Sequence, residues 1–399
     1  MQRRRFLGGL AAGALAARGP WPVLDLAGAP EDAERALVLV ELDGGNDALG
    51  TLVPREDDAY FRARPKLALA KDATIRVDDA LGLHPALAAL APHAAEGRLA
   101  AFCGVGFPES DRSHFRAMDV WHSGVPDREE TRSGWIGRAV RRAERGEGGT
   151  PPEALFALAP GRAPLVLAGA ARSVTAIRSL GDLELRGGEE QAKAVARGLR
   201  RSRGKDSPRL EEVRRRAEHA LAFGRRLDAA AKAAPAETRR YPDSPFAAQL
   251  ALAGSLIAGG FRRSVHHVRL GGFDTHVRQD ETHPATLRVL AEGLDAFLAH
   301  LGRQKREKDV LVLVFSEFGR RVAENGGRGT DHGSAGLALL LGEGLRPGRH
   351  GASYDLETLE RGDLRALLDW RDLQDRLLSE WMGWAPERPL RDGLALLAK

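Results

Sequence analysis

The chain has 399 residues, of which 43% are apolar, so it is long enough to bury a sizeable core and is expected to be globular. Its formal net charge is +5, but the first 29 residues hold four arginines against one aspartate. The small charge left on the remainder gives no support for a nucleic-acid partner, and none is expected. A single cysteine, Cys103, excludes an internal disulfide.

The N-terminus has the pattern of an export signal. It reads MQRRRFLGG, with consecutive arginines before Phe6 and Leu7, and continues as an Ala- and Gly-rich apolar stretch to Ala17. This pattern is typical of a twin-arginine signal. Because about 20 apolar residues are needed to cross a bilayer, the stretch is too short for a stable membrane span. We therefore expect residues 1–29 to be a signal peptide, the twin-arginine export machinery to be a partner, and the protein to be periplasmic or extracellular.

Short apolar runs alternate with helical patterns along most of the chain. Continuous runs of this kind are typical of strands covered on both faces. Strands that alternate with helices predict an α/β fold with a largely parallel sheet. The runs are ALVLVEL (36–42), LAAFCGV (99–105), PLVLAG (164–169), SVHHVRL (264–270), DVLVLVF (309–315) and GLALLLG (336–342), and the helical patterns include Pro85–Glu96, Phe246–Ala258 and Pro284–Leu301.

The stretch from about residue 189 to 240 has a different composition. Arg, Ala and Glu dominate it, and β-branched and aromatic residues are almost absent. We interpret it as a helical insertion within a single domain that spans residues 30–399. Its basic run RGLRRSRGKDSPRLEEVRRR would suit an anionic partner, although a solvated helix face accounts for the same charges more simply.

Polar clusters follow four of the predicted strands, and a fifth cluster precedes the last strand. Ligands of open α/β sheets gather beyond the carboxyl ends of the strands, so these clusters are candidate site residues. Each one alone has an ordinary explanation, such as a turn at Asp47 or a helix cap at Ser113. They are LDGGNDALGT with Asp47, GFPESDRSHFRA with Ser113 and His114, GGFDTHVRQDETH with Asp274, His276 and His283, SEFGRR with Glu317 and Arg320, and GTDHGS with Asp331 and His332.

Together the clusters predict a metal site. Oxygen and nitrogen ligands without cysteine suit Zn, Mn, Mg or Ca, and a mixed Asp/His set favours Zn and Mn. We expect the loop after residue 270 to supply one half of the site, His332 to complete it, and Asp47 and Glu317 to bind a second ion. The candidate ligands are Asp47, Asp274, His276, His283, Glu317, Asp331 and His332.

The candidate catalytic residues are Ser113, His114 and Arg320. Two metal ions can clamp an oxyanion and activate a nucleophile, which is how phosphate and sulfate esters are commonly cleaved. Ser113 lies at a predicted helix N-terminus, where the amide dipoles favour an anionic group, so it is placed to attack. Arg320 would bind the substrate anion through its guanidinium, or else fix Glu317.

Several motifs in one order resemble the bacterial family called domain of unknown function 1501. They are the twin-arginine start, the GGxD turn at residues 44–47, YFRARPKLAL, LGLHPAL, SHFRAMDVW, SGWIGR, GGFDTHVRQ, FSEFGRR and GTDHG. The resemblance runs from about residue 36 to 385. This family is similar to the alkaline phosphatase and sulfatase superfamily, which implies a three-layer sandwich with helices on both faces of the sheet and a metal site at the strand ends.

The resemblance also implies roles for individual residues. Asp47 resembles the superfamily's first-strand metal aspartate, and Ser113 falls near its nucleophile. Asp274 with His276 or His283 falls near its Asp-x-x-x-His ligands, and His332 near its late histidine. The chain departs from the superfamily where Asp-His is usual, because it has Ser316-Glu317-Phe318 there and so offers one carboxylate.

Two functions of different class follow from these patterns. The first is an exported hydrolase of phosphate or sulfate esters that depends on a divalent metal ion, Zn, Mn or Ca, and takes a small anionic ester or a polymer as substrate. The alternative is a non-catalytic, metal-stabilised protein that binds an extracellular anionic polymer or assembly. A metal-free structural component of an exported assembly would need the clusters to be scattered in space.

Overall fold

The computed structural model describes residues 34–107, 112–126, 131–161, 163–179 and 208–398, together with Ala194 and Arg197. The expected signal peptide, residues 1–29, lies outside the described residues. Residues 189–207 of the expected insertion also lie outside the described residues, apart from Ala194 and Arg197. The rest of that insertion is almost entirely one long helix, residues 208–238.

The described residues form twelve β-strands in two sheets, and the larger sheet has nine of them. The strands are β1 Ala36–Asp43, β2 Leu52–Pro54, β3 Ile75–Arg76, β4 Leu81–Leu83, β5 Leu99–Gly106, β6 Ala154–Ala157, β7 Val174–Ala176, β8 Ser264–Gly271, β9 Val310–Ser316, β10 Gly336–Leu341, β11 Gly348–His350 and β12 Leu368–Asp369. The order in the larger sheet is β11-β5-β10-β9-β1-β8-β6-β7, with β12 also paired to β5, and β2-β4-β3 form the smaller sheet.

The helices cover both faces of the larger sheet. They are α1 Ala48–Thr51, α2 Asp58–Ala63, α3 Ala91–Ala95, α4 His114–Ser123, α5 Trp135–Glu144, α6 Pro208–Thr238, α7 Pro245–Ala258, α8 Gln279–Arg303 and α9 Trp370–Arg376. Short 3-10 helices span Lys71–Ala73, Pro85–Leu90, Leu165–Leu167 and Glu307–Asp309, and a π-helix spans Leu377–Trp381.

Alternate residues of β1 belong to two separate cores. Val38 and Val40 pack with residues of α7 and α8, whereas Leu37 and Leu39 pack with residues of α4, α5 and α9. A strand whose side chains are apolar on both faces needs cover on both, which is why β1 reads as a continuous apolar run. The three layers and the largely parallel sheet confirm the fold class predicted from the sequence.

Strand β10 is the exception to the parallel arrangement, and it matters for the site. It runs antiparallel to both of its neighbours, β9 and β5, while the other paired strands of this sheet are parallel. Its first residue therefore lies at the edge where β9 and β1 end. This reversal carries the cluster that precedes β10, with Asp331 and His332, to the same edge as the clusters that follow β1, β8 and β9.

Two sequence predictions of secondary structure were wrong. The run at residues 164–169 is not a strand but contains the 3-10 helix Leu165–Leu167, which packs on α5, where Gly137 leaves no room for a side chain. The sheet position is taken instead by β6, a four-residue strand. The helix predicted at Pro85–Glu96 is a 3-10 helix followed by the short α3. Helix α8 begins at Gln279, so it includes His283.

Within the described residues, no helix is both long and apolar enough to cross a membrane.

Candidate metal centre

Four side chains meet at the edge of the sheet where β1, β8 and β9 end, and we call them the His-Asp cluster. His114 begins α4, Asp274 and His276 lie in the loop after β8, and His332 precedes β10. Asp274 Oδ1 lies 3.2 Å from His276 Nε2, 3.3 Å from His332 Nε2 and 3.6 Å from His114 Nε2. The ligand atoms of His114, Asp274 and His332 all lie within 4.8 Å of one another. The structure therefore brings together residues from three distant parts of the chain.

The outer nitrogen of each imidazole is held by an acceptor. His114 Nδ1 lies 2.7 Å from a Glu317 carboxylate oxygen, His276 Nδ1 lies 3.1 Å from a carboxylate oxygen of Asp331, and His332 Nδ1 lies 2.8 Å from a main-chain carbonyl. Because ionised carboxylates and carbonyls only accept, each Nδ1 carries the proton and donates it. A neutral imidazole protonated at Nδ1 has its lone pair on Nε2. In this neutral form, which is the form that binds metals, the three Nε2 lone pairs lie on the side of Asp274.

This arrangement fits a divalent cation. His276 Nε2 and His332 Nε2 are 2.9 Å apart, and His114 Nε2 is buried without a hydrogen-bond partner. Lone pairs that face one another and a carboxylate repel unless a positive charge lies between them. Histidines that bind metals typically donate their other ring N–H to a carboxylate or carbonyl, as these three do. Three imidazole nitrogens and one carboxylate oxygen form a ligand set that suits zinc.

Glu317 and Asp331 orient histidines instead of facing the centre of the cluster. Glu317 has no exposed side-chain surface, and its carboxylate accepts from Gly44 N at 2.9 Å and from Ser316 Oγ at 2.9 Å as well as from His114. Asp331 accepts from Asn325 Nδ2 at 3.1 Å and from His276. These positions correct the expectation that both are metal ligands, because each carboxylate lies against the outer nitrogen of a cluster histidine.

Arg320 lies on the buried side of the His-Asp cluster and is not accessible to a substrate. Its side chain is fully buried, and its guanidinium donates to Asp274 Oδ1 at 2.7 Å. This position corrects the expected role in binding the substrate anion, since no N–H group of Arg320 faces solvent. Its other acceptors are the main-chain carbonyls of Gly44, Gly45, Phe273 and Thr330. Arg320 therefore positions Asp274 by tying three loops to one another.

Asp47 and His283 lie in a separate buried network. Asp47 pairs with Arg64 through two contacts of 2.5 and 2.9 Å and also accepts from Gln279 Nε2 at 2.5 Å. His283 Nε2 lies 3.0 Å from Asn46 Oδ1. We call these five residues the closed network, because each side chain is at most 4% exposed and has a partner within the group. The structure does not bring Asp47 or His283 to the His-Asp cluster, which corrects both ligand expectations.

The charges of the closed network are set by burial and by Arg64. Burial raises the pKa of Asp47, but the adjacent guanidinium outweighs it and holds the pKa below its usual value. Burial lowers the pKa of His283 to about 4, so this imidazole is neutral near pH 7. The guanidinium occupies the place beside Asp47 that a second metal ion would need.

Ser113 is at the N-cap position of α4, directly before His114. Its side chain is exposed and makes no capping hydrogen bond to the helix. The hydroxyl is therefore not committed to the capping role that is common for serine at such a position. His114, which the sequence placed among the catalytic residues, is a member of the His-Asp cluster.

A third group of polar side chains surrounds the buried Glu41 of β1. His122 Nε2 and His267 Nε2 each lie 2.9 Å from Glu41 Oε2, and Arg269 Nε lies 3.3 Å from Glu41 Oε1. Burial raises the pKa of Glu41, but the two imidazole hydrogen bonds outweigh it and hold the pKa below its usual value. The guanidinium already supplies the positive charge here, so we interpret this group as a satisfied carboxylate.

The sequence did not predict the residues that complete the closed network and the His-Asp cluster. Arg64 lies in the YFRARPKLAL motif of the family resemblance, but its pairing with Asp47 depends on a fold-back of 17 residues. Asn325, which binds the His276 carbonyl, lies outside the polar motifs that follow strands, and the acceptor of His332 is the main-chain carbonyl of Arg112, which residue type does not indicate. Gln279, which also donates to Asp47, lies in the same GGFDTHVRQ motif as Asp274.

The protein is thus a three-layer α/β protein with a His-Asp cluster at its strand ends. The chain belongs to the family described as Protein of unknown function (DUF1501), which matches residues 34–361. The family predicted from the sequence motifs is confirmed. No curated protein matches the chain.

Three solved structures are similar to the chain at low identity. The C-terminal periplasmic domain of EcEptC from Escherichia coli, in complex with Zn, is 12% identical, with 78% of this chain and 73% of that chain covered and a TM-score of 0.37. A putative sulfatase from Bacteroides thetaiotaomicron is 9% identical, with coverages of 91% and 73% and a TM-score of 0.39. A protein in the alkaline phosphatase superfamily from Vibrio parahaemolyticus is 12% identical, with coverages of 92% and 73% and a TM-score of 0.40.

Proposed function

We propose that the protein is an exported, metal-dependent hydrolase of phosphate or sulfate esters. The observation that carries this proposal is the orientation of His114, His276 and His332, whose Nδ1 atoms are all held by acceptors while their Nε2 atoms face Asp274 Oδ1. The cluster is also partly open, with 40% of the His276 side chain exposed, so a small anionic ester has access to it.

The four residues of the His-Asp cluster would hold one divalent ion, and Zn fits the ligand set better than Mn or Ca. When bound, such an ion polarises an ester oxygen and lowers the pKa of a bound water. One ion is proposed instead of two, because Arg64 occupies Asp47 and the Glu317 carboxylate already has three donors.

The chain's own residues supply the remaining parts of the reaction site. The Ser113 side chain lies at the N-terminus of α4 and makes no capping hydrogen bond to the helix, whose amides favour an anionic group nearby. We assign Ser113 the role of nucleophile, with attack by water as the alternative. Glu317 fixes the ring of His114, and Arg320 fixes the carboxylate of Asp274, so both act as positioning residues.

The test is a screen of the purified protein with added Zn, Mn or Ca against para-nitrophenyl phosphate, bis-para-nitrophenyl phosphate and para-nitrophenyl sulfate. We compare wild type with Ser113→Ala, His276→Ala and His332→Ala. His350→Ala is the control, because that imidazole binds the Arg346 carbonyl and lies outside the cluster.

Loss of turnover in both cluster variants, with the control active and all variants folded by thermal unfolding, is the expected result. Turnover that survives both His276→Ala and His332→Ala contradicts the proposal. Retained turnover in Ser113→Ala alone would assign the attack to water.

The second candidate function is a non-catalytic protein that uses a single metal ion for structure and binds an anionic polymer. The closed network favours it, because Arg64 neutralises the aspartate that a two-metal hydrolase needs. One equivalent of bound metal, no turnover of any ester, and polymer affinity that falls steeply with salt would select this function.

Export is part of the proposal and has its own test. Replacing Arg3 and Arg4 by lysine in the N-terminal motif is expected to keep the protein in the cytoplasm, whereas wild type reaches the periplasm. Cell fractionation measures the difference. Equal distribution of the two proteins would contradict the twin-arginine route.

A further inference from the structure

A cavity of about 440 Å³ lies beside the His-Asp cluster, and three arginines line it. They are Arg112, Arg321 and Arg361, which outnumber the two acidic residues of the lining. The cavity shares structure with the cluster, because the main-chain carbonyl of Arg112 accepts from His332 Nδ1 at 2.8 Å. In addition, Arg321 N donates to the carbonyl of Asp331 at 3.0 Å. A group bound in the cavity would therefore be a close neighbour of a group bound at the cluster.

A buried acid fixes two of these arginines in place. The Asp363 side chain is 2% exposed, forms an ion pair with Arg112, and lies 3.6 Å from Arg321 Nε. Both arginine side chains remain 38% exposed, so each still presents N–H groups to solvent. Guanidinium groups bind tetrahedral oxyanions with paired N–H donors, and fixing them in advance reduces the entropy lost on binding.

Arg361 is held at the cavity by an unfavourable turn. Glu360 and Asp363 exchange two main-chain hydrogen bonds of 3.0 Å, and the two residues between them have φ values of +56° at Arg361 and +86° at Gly362. This is a type I′ turn, in which the first of the two positions prefers Asn, Asp or Gly. An arginine there is strained, and strained positions concentrate at functional sites.

The turn also packs against the second arginine. Arg321 Nη2 donates to the carbonyl of Arg361 at 3.2 Å, and a Cβ added to Gly362 would lie 3.9 Å from Arg321 Nη1. The Arg361 side chain is exposed, and no carboxylate within the described part of the chain forms an ion pair with it. Its charge is therefore free to act on a ligand.

We propose that this cavity binds a second, non-reacting anionic group of the substrate, so that the substrate is an ester carrying at least two sulfate or phosphate groups. The inference rests on the proposed function, since it assigns the reacting ester to the His-Asp cluster and its companion anion to the cavity. The volume is within the range of small-molecule sites, about 300–1,000 Å³, so it has room for the portion of the substrate that carries this group.

The test measures anion binding without turnover. Metal is first removed with a chelator and the chelator is dialysed away. Isothermal titration calorimetry then follows the binding of inorganic sulfate and, separately, of inorganic phosphate. The variant is Arg361→Asn, which removes the guanidinium but places the preferred residue in the type I′ turn. The matched control is Arg328→Asn, because Arg328 has the same φ of +56° but lies outside the cavity and pairs with Asp280.

We expect wild type and Arg328→Asn to bind the anion with the same affinity. Arg361→Asn is expected to bind it at least about tenfold more weakly, since a hydrogen bond to a charged group contributes on that order. The thermal midpoint of Arg361→Asn is expected to be unchanged or higher, which separates loss of binding from loss of structure. Whichever of sulfate and phosphate binds with the higher affinity identifies the companion anionic group of the substrate.

The inference is overturned if the metal-free wild type binds neither anion, or if Arg361→Asn binds as tightly as wild type. These outcomes do not depend on turnover, so the inference and the proposed hydrolase activity can fail separately. An inactive protein whose anion binding depends on Arg361 would retain the cavity assignment and remove the enzymatic one.

Discussion

The His-Asp cluster and the closed network contain the same kinds of side chain but differ in what faces the carboxylate. In the closed network, Arg64 donates to Asp47 from two nitrogens, and the group is sealed from solvent. In the cluster, the Nε2 atoms of three imidazoles face Asp274, and 52% of that side chain is exposed. Both groups lie near the carboxyl end of the sheet.

The difference shows that residue type and position do not make a metal ligand. A buried carboxylate needs a positive partner, and the fold can supply one from its own side chains or leave the place for an ion. Asp47 has its partner in Arg64. Asp274 has its own partner in Arg320, but the three histidines of the cluster are turned outward at Nδ1, so their inner nitrogens remain available to an external cation.

The largest predicted effect breaks the closed network. Asp47→Ala leaves the Arg64 guanidinium buried without its carboxylate, and we expect a loss of about 3–5 kcal/mol in the free energy of unfolding. Urea denaturation measures it. The double variant Asp47→Ala/Arg64→Met is expected to recover part of the loss, because no charge then remains buried. A loss below about 1 kcal/mol for the single variant would show that Arg64 finds other partners.

The second prediction separates the two groups by metal binding. His332→Ala is expected to lower zinc affinity by more than about 100-fold, beyond the range seen when an outer partner is lost. His283→Asn should bind zinc like wild type, since His283 faces Asn46 instead of the cluster. Titration with a competing chelator measures both affinities. Similar losses in the two variants would mean that the closed network opens to join the site.

The third prediction concerns the outer partners of the cluster. Glu317→Gln removes the negative charge beside His114 Nδ1, and we expect zinc affinity to fall about tenfold. Glu360→Gln is the control, because it removes an equal charge outside the cluster. The same titration with a competing chelator measures the zinc affinity of both variants. Unchanged affinity in Glu317→Gln would indicate that the carboxylate only supports the fold.

The smallest effect is a dependence of stability on pH. His283 has a folded pKa of about 4 against 6.5 in the unfolded chain, so between these values the unfolded chain binds a proton that the folded chain does not. Stability from this group is complete above pH 6.5 and is lost as the pH falls toward 4. Between pH 7 and pH 5.5 we expect a loss of about 1 kcal/mol from this group.

Denaturation of wild type and His283→Asn at the two pH values isolates the contribution. The variant is expected to lose about 1 kcal/mol less than wild type over this interval. An equal loss in both proteins would mean that His283 titrates normally in the folded state.

Periodicity was enough to predict the main strands, because a strand covered on both faces must be apolar at every position. It failed at residues 164–169, where an apolar run between Pro164 and Gly169 packs on a helix instead of joining the sheet. Burial alone does not distinguish these two environments. The sequence also gave no sign that β10 is antiparallel, since its apolar run looks like those of its parallel neighbours.

The site was predictable only in outline. Asp274, His276 and His332 come from motifs at strand ends, and the fold class alone suggests that such motifs lie near one another. The roles of Glu317 and Asp47 could not be predicted from their positions in the sequence. Each has the right residue type at the right edge, but its partner is decided by contacts with segments far away in sequence, such as Arg64 and His114.

Arg320 also determines how much electrical charge the site offers. Its guanidinium and the Asp274 carboxylate carry opposite unit charges and lie 2.7 Å apart, so they cancel. Metal-bound imidazoles are neutral, so the four residues of the cluster and Arg320 together would contribute a net charge close to zero. An ion held in this place would keep nearly its full double charge for an incoming oxyanion. The same cancellation weakens the attraction that retains the ion, so its occupancy should follow the supply of metal in the surroundings.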